Sequence, residues 1–115
     1  MNQFIKIAVA TVGFKGLEDT VSSEFGRSKT FTIIEVENGE VKSVKVIENP
    51  AASLSHGRGP IVTKNLANTG VSVIISGEVG PGASTMLDDL GRKKLLAKPG
   101  EKVIDALKEL SIIKG

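Results

Sequence analysis

The sequence predicts an α/β fold with the element order β-β-β-α-β-α-β-α, and three observations predict it. A β-branched, apolar run opens the chain. Two further strand-like runs flank an Asn-Gly pair, and the remainder alternates short buried runs with segments of helical periodicity. At 115 residues the chain has the size of one domain, and residues 1–115 are read as a single one.

The elements follow in order. Residues 4–12 (FIKIAVATV) are apolar with little alternation and stop at Gly13, the pattern of a strand covered on both faces. Residues 30–37 (TFTIIEVE) and 40–48 (EVKSVKVIE) are the next two strands. Asn38-Gly39 between them predicts a two-residue type I′ hairpin, which needs positive φ at both central positions. A helix over 61–68 (IVTKNLAN) follows, with Pro60 at its first position, where a missing N–H is harmless, and Gly70 as its stop. Residues 71–76 (VSVIIS) form a buried strand. A second helix spans 83–90, with Met86, Leu87 and Leu90 on one face and Gly91 after it, and 94–97 is a short strand. Residues 100–110 (GEKVIDALKEL) align Val103, Ala106, Leu107 and Leu110 on one helical stripe.

Composition narrows the function. The chain has no cysteine, which excludes a disulfide framework, a thiolate nucleophile and a Cys-ligated zinc or iron–sulfur centre. A net charge of +2 with no long basic run argues against duplex nucleic acid as partner, and 3% aromatic residues argues against stacked single strands. No apolar run approaches the roughly 18 residues of a membrane helix. The amino terminus reads directly into a strand without a secretory leader, so a cytoplasmic location is expected.

Topology gathers three loops on one edge of the sheet. If the first strand runs up, the loop 13–29, the segment 49–60 (NPAASLSHGRGP) and the turn 77–82 (GEVGPG) all lie at the top, where open α/β sheets bind ligands. Two of these loops are glycine-rich and open helices. Gly57, Gly59, Gly77, Gly80 and Gly82 let the backbone approach a bound group, and first-turn N–H groups favour an anion. Neither loop is a Walker or a GxGxxG motif. Arg27 and Arg58, with Lys15 and Lys29, are candidate cationic donors, and Val21 and Phe25 are expected to pin the long first loop to the core. Glu18, Asp19 and Glu24 read as surface charges. A nuclease is disfavoured because the strand runs 4–12 and 71–76 carry no acid to hold metal ions.

The stretches TVSSEFGRSKTF, ENP, HGRGP and GEVGPG, in that order, resemble the dinitrogenase iron-molybdenum cofactor biosynthesis family, the NifX/NafY-like cofactor-binding domains. The resemblance runs from Ile5 to Leu110. It implies a ribonuclease H-like α/β fold with a five-stranded mixed sheet and helices on both faces. It also implies non-enzymatic binding of an iron–molybdenum or iron–sulfur type cluster or its precursor, and hand-over to a cofactor-assembly or acceptor protein. Glu24 stands where many relatives carry a histidine, which leaves His56, the only histidine in the chain, as the candidate metal ligand. Two alternatives use the same scaffold: a small-anion or nucleotide sensor, and a protein-interaction module.

Overall fold

The computed structural model describes residues 3–115. Its elements are β1 (Phe4–Thr11), a 3₁₀ turn (Gly16–Glu18), β2 (Thr30–Glu37), β3 (Glu40–Glu48), α1 (Arg58–Asn68), β4 (Val73–Ser76), α2 (Pro81–Asp89), β5 (Lys93–Leu96) and α3 (Val103–Glu109). The strands form one mixed sheet in the order β3-β2-β1-β4-β5. β2 is antiparallel to β1 and to β3, whereas β4 is parallel to β1 and to β5. This is the five-stranded arrangement that the sequence pattern and the family resemblance both imply. None of the helices among the described residues is long and apolar enough to cross a membrane.

Strand alternation divides the core into two layers. On one face Ala8, Ala10, Phe31, Ile33 and Ile74 meet Val62 and Leu66 of α1 and Ala83 and Leu87 of α2. On the other, Ile7, Val9, Ile34, Val36 and Ile75 meet Val103, Ala106 and Leu107 of α3. Phe25 and Phe31 pack edge to face with centroids 5.4 Å apart, worth about 1 kcal/mol beyond the area they bury. Val21 and Phe25 are each 1% exposed, so both pin the first long loop as expected.

The hairpin matches its prediction at both ends. Asn38 has φ 53° and Gly39 φ 80°, the left-handed pair that a type I′ turn requires, and Glu37 faces Glu40 across it. Helix starts differ from expectation. α1 begins at Arg58, three residues before the predicted 61, because Gly57 adopts φ 66° and caps it; Pro60 therefore stands third, still among positions that need no N–H. α2 begins with Pro81 in the first-turn position that suits proline. Leu90 is 45% exposed, since the helix has ended there and only Leu87 of the predicted stripe is fully buried.

Asp19 also departs from its expected role as a surface charge. It is buried, and its carboxylate accepts the main-chain N–H groups of Gly13 (3.0 Å), Lys15 (3.1 Å) and Thr20 (2.7 Å). Three charge-assisted bonds in one buried group organise the start of the long loop. Replacing Asp19 with Ala leaves those donors without their acceptor and is expected to cost about 2–3 kcal/mol, measured as a lower urea midpoint. An unchanged midpoint would remove Asp19 from the account of loop order.

Candidate functional site

Register fixes which loops meet. Thr11 pairs with Thr30 and Thr30 with Glu48, so the end of β1, the start of β2 and the end of β3 lie at one edge, and the parallel β4 ends there too. Buried hydroxyls tie that edge together. The Thr11 hydroxyl lies 2.7 Å from that of Thr30 and 3.1 Å from that of Thr32, and Thr30 Oγ1 donates to Gly13 O at 2.5 Å. Asn49, 4% exposed, joins two loops: its amide donates to Gly26 O (3.0 Å) and Ser28 O (2.8 Å), and its Oδ1 accepts from Ala51 N–H (2.8 Å). The Phe25 N–H donates to Glu78 O at 3.1 Å and the Gly77 N–H to Ser22 O at 2.9 Å, which stitches the first loop to the β4–α2 turn.

Between these loops lies a cleft of about 310 Å³. Arg27, Gly57, Arg58, Gly59, Gly80 and Gly82, all predicted site residues, line it together with Glu24, Phe25, Gly26, Pro60, Glu78 and Ala83. The N-termini of α1 and α2 open into it, and neither helix has a side-chain cap. Among the described residues, no acceptor is found for the N–H groups of Gly59, Gly82 and Ala83. Unpaired first-turn donors at the positive ends of two helices make a site suited to negative charge.

Absent side chains bring the two helix starts together. A Cβ on Gly26 would lie 3.1 Å from Gly59 N, and one on Gly59 would lie 3.1 Å from the Ala83 Cβ. Gly26 was not singled out by sequence reasoning, although the Phe-Gly-Arg stretch that carries it was; a glycine between a buried Phe and an Arg at a loop end is the signal available.

Four predicted residues lie elsewhere. Gly77 does not line the cleft: a Cβ there would meet Pro99 Cγ at 2.7 Å, Ser23 O at 2.8 Å and Ser23 Cα at 2.9 Å, so this glycine permits close packing of the first loop. His56 is exposed in the loop before Gly57 and is not among the cleft-lining residues. Lys29 faces a neighbouring pocket and holds its ammonium 5.8 Å from the Phe14 ring centroid. Lys15 likewise stands outside the cleft. Both arginines line it while bonding to the 52–55 loop: Arg27 Nη2 donates to Ser55 O (3.2 Å), Arg58 Nη2 to Ala52 O (3.1 Å) and Arg58 Nε to Leu54 O. Glu24 and Glu78 add two exposed carboxylates at the rim. No cluster of three or more His, Cys, Asp or Glu side chains among the described residues is placed to hold a metal ion.

The two kinds of glycine separate by measurement. Gly77→Ala is expected to lower stability by about 1–3 kcal/mol through overpacking, whereas Gly80→Ala, with open space around it, is expected to stay within about 0.5 kcal/mol of the parent in urea denaturation. Equal midpoints for both variants would contradict the assignment.

Known proteins match this chain closely in both sequence and shape. An uncharacterized protein of Methanocaldococcus jannaschii is 35% identical over 91 residues, covering 79% of this chain and 77% of the relative. The apo form of the orange protein from Desulfovibrio gigas superposes with a TM-score of 0.80 at 31% identity, over 91% of this chain and 85% of that one. A candidate NifB protein from Thermotoga superposes with a TM-score of 0.75 at 34% identity, over 94% and 88% of the two chains. The family described as dinitrogenase iron-molybdenum cofactor matches residues 4–112, nearly the full length, and the chain belongs to that family.

Proposed function

We propose that the chain is a non-enzymatic binding and carrier domain for an anionic metal cofactor, a cluster of the iron–molybdenum or iron–sulfur type or its precursor. The observation that carries this reading is the meeting of two uncapped helix N-termini in one glycine-walled cleft. Family membership and the likeness to the orange protein and the candidate NifB protein support it. The donor set suits a cargo assembled elsewhere. With no cysteine, the domain offers N–H groups and guanidinium forks to the negative periphery of a cluster rather than thiolates to its metals.

Gly57, Gly59, Gly80 and Gly82 present backbone to the cargo, and Arg27 and Arg58 balance its charge. Both arginines now donate to carbonyls of the 52–55 loop, bonds that a cargo would replace or share. His56, exposed one residue before the cleft-lining Gly57, is the candidate imidazole ligand for one open metal position of the cargo. A cargo held without metal–thiolate bonds leaves without breaking one, which suits transfer to an acceptor or cofactor-assembly protein. The second reading, a sensor of a small anion or nucleotide, uses the same N–H groups but needs no metal.

An anaerobic amide NMR titration separates the readings. An isolated iron–molybdenum type cluster or iron–sulfur precursor is expected to broaden or shift residues 56–59 and 80–82, with phosphate and nucleotide leaving residues 80–82 unmoved. A response there to phosphate or nucleotide and none to the cluster would select the sensor, and silence with all three would leave an interaction module. Gly80→Leu places bulk at an open, extended position before Pro81. It is expected to weaken cluster binding about tenfold or more, at least 1.4 kcal/mol, without loss of fold. Unaltered affinity in that variant would rule out the cleft as the cargo site.

A further inference from the structure

Beside the cleft lies a second pocket of about 300 Å³, whose walls include Phe14, Arg27, Lys29, Glu48, Asn49 and Arg58. Arg27 and Arg58 are common to both and form the partition between them. Charge is distributed unequally across that partition. In the cleft the two guanidinium groups are matched by the carboxylates of Glu24 and Glu78. In the outer pocket three cations, Arg27, Lys29 and Arg58, face the single carboxylate of Glu48, an excess of two positive charges.

Among the described residues none of the three cations is ion-paired with a carboxylate. The neutral polar groups of the pocket are already committed. The Asn49 amide is spent on Gly26, Ser28 and Ala51, and the Ser28 hydroxyl donates to Thr30 O at 2.8 Å. What remains for a ligand is cationic N–H, bounded by the Phe14 ring with the Lys29 ammonium held over it.

We propose that this outer pocket is a binding subsite for a small oxyanion, a carboxylate or phosphate group, with Lys29 as the cation that distinguishes it from the cleft. Guanidinium groups match the two oxygens of such a group in a fork, and the ammonium adds a point charge. The volume admits phosphate or a small polycarboxylate. Because the arginines belong to both pockets, an oxyanion here and a cargo in the cleft touch the same two side chains, so the subsite reads one end of an extended cargo or a separate anion bound with it. The assignment extends the cleft reading, yet the anion is expected to bind whether or not a cluster is present.

The test uses the full labelled chain, titrated at low ionic strength with inorganic phosphate and, separately, with citrate. Saturable shifts at Lys29, Asn49 and Ala52 are expected with at least one of them, and which one saturates at lower concentration identifies the head group. Lys29→Ala, an exposed position, is expected to weaken that binding about three- to tenfold, with Lys29→Arg recovering most of it and added salt weakening all forms. Cluster-induced broadening at Gly80 and Gly82 is expected to be the same in Lys29→Ala as in the parent. No saturable shift at the three amides with either anion, or equal affinities for parent and Lys29→Ala, would overturn the proposal. An intact anion response beside a missing cluster response would overturn the cleft reading and leave this one standing.

Discussion

Strand β1 is hydrogen-bonded along both edges and covered on both faces, and the rest of the domain is positioned from it. Its residues 7–11 are fully buried, and their alternation sets two unequal layers. Toward α3 it presents Ile7 and Val9 to a layer of branched aliphatic side chains. Toward α1 and α2 it presents Ala8 and Ala10, and that layer also contains Ala51 and Ala83. Small side chains let backbones approach, and the two helices meet at their N-terminal ends, where a Cβ on Gly59 would lie 3.1 Å from the Ala83 Cβ. The cleft stands on the α1 and α2 side of the sheet.

The upper edge is ordered without regular secondary structure. The segment between β1 and β2 holds one short 3₁₀ turn, yet Asp19, Asn49, the three threonine hydroxyls and isolated bridges at Thr11–Val21 and Thr20–Lys102 fix it from within and from both sides. Polar groups buried in this way lose their water and regain partners, which restricts the loop to one arrangement. Ordering of the cleft walls is thereby completed in the protein alone, and less conformational entropy remains to be lost when a ligand enters.

Much of this was legible in the sequence where one local rule dominated. The hairpin limits were readable because Asn38-Gly39 has a single favourable geometry, and β1, the buried stripe of α3 and the gathering of three loops at one edge followed from periodicity and connection rules. Boundaries shifted where two signals competed. Pro60 suggested a helix start, but Gly57 in the left-handed region supplied the earlier one. Gly77 and Gly80 are indistinguishable as letters in GEVGPG; one is enclosed by Ser23 and Pro99, which are distant in sequence, and the other faces open space. Asp19 looked like a surface acid because its three acceptor bonds go to main-chain groups, which no side-chain pattern advertises. Placing His56 outside the cleft required the path of the 51–57 loop, which has no periodicity to read.

The contact between Gly26 and Gly59 also shapes how such a domain can diversify. At these positions, and at Gly59 against Ala83, an added Cβ would come within 3.1 Å of its neighbour, so every alternative amino acid crowds the first loop or the start of α2 against the start of α1. Change there requires the neighbouring backbone to shift. The side chains at the rim, Glu24, Arg27, Arg58 and Glu78, stand in partly open space and can be exchanged without moving the frame. The charge of the cleft is thereby set by side chains that are separable from the glycine frame that gives it its shape.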